Sequence, residues 1–344
     1  MESFIFFHPK DDHTGSTKVL ADTIEREYIN KKVFCVATDN NSKGFLSDNK
    51  NIKIIRIHCP LINGKRIKYL STFIYYIHAM YIALFYGSRY NVFYINTIMP
   101  FYATVAGSIL RKKIIYHIHE KFQKKTLITK IAEHIFCNIP STAYFVSQYT
   151  KDQYVMNKKS TAIIKYNSLS SAFLKNIHLT PVKDRKLNQI IMISSLSPAK
   201  GILTFVQLAQ LMNHYRFSLI ISSDVKSIND FFGEDIPSNL KLIPAQSNIH
   251  PFLQNSDLLL NLSIPELWIE TFGLTILEAM AYGIPAIVPN MGGPTELVKD
   301  EYNGYCVNVT DLSDISQKIT HILTPSNYHS FAQNALLQSK KFTY

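Results

Sequence analysis

Glu270 and Glu278 are two carboxylates on either side of what reads as a helix start, Phe272-Gly273-Leu274-Thr275. A glycine opening a helix over 274–282, with Gly283 to cap it and Pro285 to stop it, leaves the N–H groups of Gly273, Leu274 and Thr275 without carbonyl partners. Such an end suits a diphosphate. Glu278 follows about one turn later and could reach the ribose of the same nucleotide, because a carboxylate accepts two hydroxyl hydrogen bonds. Glu270, ahead of the helix, lies closer to a sugar. A second constellation is Ser194-Ser195-Leu196-Ser197-Pro198-Ala199-Lys200-Gly201, where a strand ends, a loop turns and Lys200 offers a counterion for a leaving diphosphate. A third is Tyr116-His117-Ile118-His119-Glu120. In a strand His117 and His119 point to one face, where either one serves a site or is simply packed, and Glu120 could orient a histidine. Gly15-Ser16-Thr17 is a small-residue turn that opens a helix after the first strand.

Missing motifs narrow the chemistry. The chain has no Asp-x-Asp, no G-x-G-x-x-G after a strand and no G-x-x-x-x-G-K-[ST], which argues against a metal–diphosphate clamp, a nicotinamide enzyme and a P-loop kinase. Cys35, Cys59, Cys137 and Cys306 form no C-x-x-C pair and match no zinc spacing, as expected in a reducing compartment. The N-terminus, with no basic n-region or cleavage site, reads as a strand and loop rather than a secretion signal, so a cytoplasmic location is expected.

The elements that must position these residues are repeated β-α units. Continuous apolar runs at 4–7, 33–37, 52–57, 92–95, 114–118, 143–146 and 162–166 predict strands covered on both faces, as in a parallel sheet. The polar stretch 175–189, which contains Pro181, breaks the rhythm. It restarts at 190–193, 217–221, 240–244, 258–261, 286–288 and 304–307, and a last helix is expected over 327–340. The predicted organisation is an N-terminal Rossmann-like acceptor domain at 1–174, a linker at 175–189 and a C-terminal Rossmann-like donor domain at 190–344, facing a cleft in which ligand binds at the carboxyl ends of the strands.

Charge is uneven. Residues 1–180 hold 25 Lys+Arg against 11 Asp+Glu, a balance of +14, whereas residues 181–344 hold 11 against 14, a balance of −3. A basic half attracts nucleic acid, phosphorylated substrates or an anionic lipid surface. Residues 69–88 carry no formal charge but include five tyrosines and His78. They read first as a buried helix, with a helix touching a membrane surface and a true span as alternatives.

The segment 266–293, with its glutamate spacing, the Phe272-Gly273 between them, Glu278-Ala279-Met280, Gly283-Ile284-Pro285 and the later Gly292-Gly293-Pro294-Thr295-Glu296, resembles the donor motif of family 4 (group 1) of the retaining glycosyltransferases. The resemblance implies the α/β GT-B fold and a metal-independent, retaining transfer of a hexose-type sugar from a nucleotide diphosphate sugar, with uridine or guanosine as base. It implies catalytic roles for His119, Lys200 and Glu270. Donor binding falls to Gly15, Ser16, Lys200, Ile249, Glu270, Phe272, Gly273, Leu274, Thr275 and Glu278, with no cofactor beyond the co-substrate and no metal. Ser195 stands where the family often has an arginine, and Tyr166-Asn167-Ser168 resembles an architectural turn. Trp268 either walls the sugar pocket or packs in the core. The resemblance further implies a lipid-diphosphate-linked glycan acceptor, as in bacterial O-antigen or capsule synthesis, at an anionic inner-membrane surface. The rival readings are a sugar-nucleotide epimerase or phosphorylase of the same fold, and a silent sugar-nucleotide-binding protein. A nucleic-acid module finds no recognised motif to support it.

Overall fold

The computed structural model describes residues 2–12, 14–28, 33–38, 44–49, 52–57, 65–123, 126–179, 181 and 185–342. Cys59 and residues 180 and 182–184 of the expected linker lie outside the described residues. The chain divides into two compact units, Met1–Lys165 and Tyr166–Tyr344.

The first unit is built on seven parallel strands: β1 (Phe4–Lys10), β2 (Val33–Thr38), β3 (Ile52–Ile57), β4 (Val92–Asn96), β5 (Lys113–Ile118), β6 (Thr142–Phe145) and β7 (Thr161–Ile164). Their order in the sheet is β3-β2-β1-β4-β5-β6-β7. Alternate residues of β1 feed opposite cores: Ile5 and Phe7 pack with Phe93 and Ile95, and Phe4 and Phe6 with Val92 and Tyr94. That is why these runs are apolar throughout rather than alternating: both faces of the sheet are covered. The second unit has six parallel strands: β8 (Gln189–Ser194), β9 (Arg216–Ile221), β10 (Leu240–Ile243), β11 (Leu258–Leu260), β12 (Ala286–Pro289) and β13 (Gly304–Val307). Their order is β10-β9-β8-β11-β12-β13. Every strand run expected from the sequence is present, with ends displaced by a residue or a few.

Each unit therefore winds first to one side of its opening strand and then to the other. The reversal falls between β1 and β4 in the first unit and between β8 and β11 in the second. In open α/β sheets the loops that diverge at such a point leave a crevice at the strand carboxyl ends.

The division at Lys165/Tyr166 comes ahead of the expected linker, and the described part of 166–189 packs on the second unit. Tyr166 donates its hydroxyl to Glu296 at 2.9 Å and packs edge-on against Phe342. Phe173 lies over His250 at 4.4 Å. Arg185 pairs with Asp257 in a fully buried bridge and also reaches the carbonyl of Ser256. The helix Lys65–Gly87 corrects the reading of 69–88 as a buried helix, because only one side of it is buried, at Ala79, Ile82 and Ala83. No helix among the described residues is long and apolar enough to cross a membrane.

Candidate functional site

At the β1/β4 reversal, polar side chains near the ends of three strands bond to one another. His8 of β1 is buried and contacts the hydroxyl of Thr17 through Nε2 at 2.9 Å and the Asn96 amide through Nδ1 at 3.0 Å. Asn96, the last residue of β4, meets Nε2 of His119 with its Oδ1 at 2.9 Å. Thr17 in turn donates to Asp12 at 2.8 Å. The direction of this chain is fixed by one contact. Asn96 Nδ2 lies 3.2 Å from the carbonyl of Ser16, and a carbonyl only accepts. The amide nitrogen therefore faces Ser16 and His8, and the amide oxygen faces His119. His119 must then carry its proton on Nε2 and His8 must accept at Nδ1. His8 donates from Nε2 to Thr17, and Thr17 donates to the Asp12 carboxylate.

Electrostatics agree with neutral rings. Burial lowers His8 to about 4, although Asp12 pulls the other way. Burial, helped by the charge His8 would carry, lowers His119 to about 3. His117, buried two residues earlier, lies 4.2 Å from His119 ring to ring and contacts the Tyr94 hydroxyl through Nδ1 at 3.0 Å. Burial first, then His119, holds it well below the usual histidine range. Burial also pushes the Asp12 carboxyl up, but hydrogen bonds from Thr14 and Thr17 outweigh it, so its pKa falls. Glu120 is lifted to about 7 by burial, against hydrogen bonds from the backbone of Ile98 and His119. Its Oε1 accepts from the Ile98 N–H at 2.9 Å, so it braces the turn after β4 while Asn96 orients the His119 ring.

The second reversal is built differently. After β8 a short turn, Pro198–Lys200, brings the ammonium of Lys200 to 2.8 Å from the Glu270 carboxylate, with the two side chains 19% and 21% exposed. The same ammonium lies 4.6 Å from the centre of the Trp268 ring. Trp268 is half exposed, so it belongs to this surface and not to the core. The loop after β11 is held to the Lys200 turn by the Ile264 N–H, which donates to Ala199 at 2.9 Å. Gly201 takes φ +74°, and a Cβ there would lie 1.9 Å from the carbonyl oxygen of Leu262, so the approach of the two loops requires glycine. On the other side a Cβ on Gly293 would lie 1.9 Å from the Thr271 carbonyl, and the Gly293 N–H donates to Glu270 at 2.9 Å.

Gly273, at φ +94°, opens the helix Leu274–Met280. Phe272 is buried 6.3 Å from Tyr166, and Leu274 and Thr275 are partly exposed on the first turn. Glu278 is 2% exposed, whereas Glu270 is partly exposed and paired with Lys200. Ile249 lies at the start of the helix His250–Gln254, which follows β10. His250 contacts the Tyr282 hydroxyl at 2.6 Å, tying this loop to the far end of the Glu278 helix.

The sequence reading thus finds Lys200, Glu270, Phe272, Gly273, Leu274, Thr275 and Glu278 gathered on the loops that diverge at one reversal. Gly15, Ser16 and His119 gather at the other. Gly15 has nothing within 4 Å of a Cβ position, so glycine is not required there. The Asp12 carboxylate already bonds to the Thr14 N–H at 3.0 Å beside this turn, so an anion approaching it meets like charge. His8, Asp12, Thr17 and Asn96 escaped the sequence reading as a group. The available signal was a polar residue closing an apolar strand, in FIFFH and VFYIN.

Two doubly wound parallel-sheet units, the second carrying a lysine–glutamate pair beside a helix that opens at glycine, have the GT-B fold of glycosyltransferases. Residues 175–337 match the family model "Glycosyl transferases group 1". The second unit is accordingly a group 1 glycosyl transferase domain. An uncharacterized glycosyltransferase of Methanocaldococcus jannaschii is 26% identical over 249 residues, covering 69% of this chain and 68% of that protein. A UDP-Gal:alpha-D-GlcNAc-diphosphoundecaprenol alpha-1,3-galactosyltransferase of Escherichia coli is 29% identical over 140 residues, 38% of this chain and 35% of that enzyme. Among solved structures, HepE of Anabaena in complex with UDP and glucose superposes with a TM-score of 0.79 at 18% identity, over 100% of this chain and 96% of that one.

Proposed function

We propose that the chain transfers a hexose with retention of configuration, without a metal, from a nucleotide diphosphate sugar to a lipid-diphosphate-linked glycan in cell-surface polysaccharide synthesis. The observation that carries this reading is the Lys200–Glu270 pair beside the start of the Glu278 helix. As the glycosidic bond breaks, negative charge grows on the leaving diphosphate. The Lys200 ammonium has three donors, so it can serve Glu270 and a phosphate oxygen together. The first N–H groups of the helix, on Leu274 and Thr275, add donors without intrahelical partners. The Glu278 carboxylate takes the ribose hydroxyls and Glu270 takes a sugar hydroxyl. The His119 ring, neutral and protonated at Nε2, offers Nδ1 as acceptor to a hydroxyl. Front-face attack, in which the departing phosphate accepts the acceptor's proton, needs no separate base. The UDP and glucose bound to HepE and the diphosphoundecaprenol acceptor named for the E. coli enzyme favour a uridine donor and a lipid-linked acceptor.

The test is release of nucleoside diphosphate from a panel of UDP- and GDP-sugars by the purified chain, with and without a lipid-diphosphate-linked glycan. Lys200→Ala and the near-isosteric Glu278→Gln are each expected to lower acceptor-dependent turnover by about 10²–10³-fold while the fold persists. Turnover within a few-fold of the parent in both variants would remove these residues from the donor site.

A further inference from the structure

Over residues 72–87 the outward side of the helix Lys65–Gly87 is largely apolar, His78 apart. Phe73, Ile77, Tyr81 and Phe85 recur every fourth residue and are 63%, 55%, 61% and 47% exposed. At that spacing they form one stripe along about 20 Å of helix. Ile74, on the same side, is exposed as well. Isolated exposed apolar residues are ordinary, but a contiguous run of large ones marks an interaction surface.

Cations stand at the C-terminal end of the stripe. Beyond the last turn of the helix the Arg89 guanidinium stands 5.0 Å over the Phe85 ring, and the Lys112 ammonium meets the Ser88 carbonyl at 3.0 Å. The bias extends through the flanking chain: between Asp48 and Glu120 there are ten lysines and arginines and no acidic residue.

We propose that this face docks on the surface of an anionic phospholipid bilayer. The helix lies along the interface with Phe73, Ile77, Tyr81 and Phe85 below the headgroups, and Arg89 and Lys112 at its C-terminal end meet headgroup phosphates. A bilayer answers both halves of the surface, the apolar stripe and the one-signed rim. A second copy of the chain would answer only the first, because two such faces would bring like charges together. None of these residues belongs to the site in either unit. The proposal deepens the lipid-linked acceptor reading and rests on it for its purpose, although the docking itself stands apart from catalysis.

The experiment is flotation of the full chain with vesicles of phosphatidylcholine alone or mixed with phosphatidylglycerol. The chain is expected to float with the mixed vesicles and not with the neutral ones, and to be released as salt rises. Phe73→Ser combined with Tyr81→Ser is expected to weaken partitioning by roughly tenfold or more, with an unchanged melting temperature, since both side chains are exposed. Equal flotation of parent and double variant would overturn the proposal. So would a parent dimer in light scattering that the double variant converts to monomer, which would assign the face to a second copy. Turnover with a water-soluble acceptor separates this from the catalytic reading. A double variant that still turns over but no longer floats supports docking. A parent that floats but turns over no donor defeats the catalytic reading and leaves docking in place.

Discussion

The β1/β4 and β8/β11 reversals have the same topology and are furnished in opposite ways. The first is lined by polar side chains that satisfy one another, from a neutral His119 through Asn96, His8 and Thr17 to the Asp12 carboxylate. The second presents an ion pair between a lysine and a glutamate that remain partly exposed, set by backbone segments in direct contact at Gly201 and Gly293. One is preorganised by a side-chain network, the other by close backbone packing. The difference suits the roles proposed: a neutral ring to accept a hydroxyl in one unit, and fixed charge for a developing diphosphate in the other.

The largest effect should come from the backbone side of this contrast. Gly201→Ala forces a Cβ against the Leu262 carbonyl at a positive φ, and the neighbour is backbone rather than a movable side chain. We expect a loss of about 2–4 kcal/mol, read from denaturant unfolding, with donor turnover falling as Lys200 is displaced. Gly15→Ala in the first unit meets open space at the start of a helix and should change stability by about 0.5 kcal/mol or less. Equal unfolding midpoints for the two variants would end the distinction between a glycine-packed and a side-chain-packed reversal.

A smaller effect should follow pH, through the buried network. His8 and His119 have folded pKa values depressed to about 4 and about 3, below the unfolded value near 6.5. As pH falls below about 6.5 the unfolded chain takes up protons that the folded unit refuses, so the first unit loses stability. Glu120 acts in the opposite sense. Its folded pKa of about 7 lies above its unfolded value, so its contribution is present in acid and is lost as pH rises through about 7. Hydrogen exchange at the β1 and β4 amides should therefore accelerate between pH 7 and 5. Glu120→Gln should steepen that acceleration and His8→Asn should flatten it. Exchange that is independent of pH after correction for the intrinsic rate would mean that the histidines titrate freely.

These contrasts also show what the sequence could reveal. The strands were legible because FIFF, VFYI and AIVP are apolar at every position, which only a doubly covered sheet requires. The Glu270–Glu278 motif was legible because it is local, with both carboxylates placed by one helix start. The partner of Lys200 was not, since Glu270 is distant in sequence and only the β8/β11 neighbourhood brings it close. The histidine network hid for the same reason: His8 lies near the end of β1, Asn96 ends β4 and His119 follows β5. The helix Lys65–Gly87 misled because its two sides differ in burial without differing in polarity. Tyrosine, phenylalanine and isoleucine occur on both, so no hydrophobic period marked the exposed one.

The smallest effect tests the direction of the network. If Asn96 Oδ1 is the acceptor for His119, long-range proton–nitrogen correlation spectra of chain labelled in its histidines should show His119 as a single tautomer, protonated at Nε2 and not at Nδ1, across neutral pH. Thr17→Val keeps the shape of the side chain but removes the acceptor of the His8 proton, leaving a buried donor without its partner. The cost should be about 1–3 kcal/mol in stability, with the His119 tautomer preserved, because Ser16 still holds the Asn96 amide in place. Asn96→Leu removes the acceptor itself and should let both tautomers appear. Nδ1 protonation of His119 in the parent chain would reverse the chain's direction, and with it the assignment of this ring as an acceptor for a substrate hydroxyl.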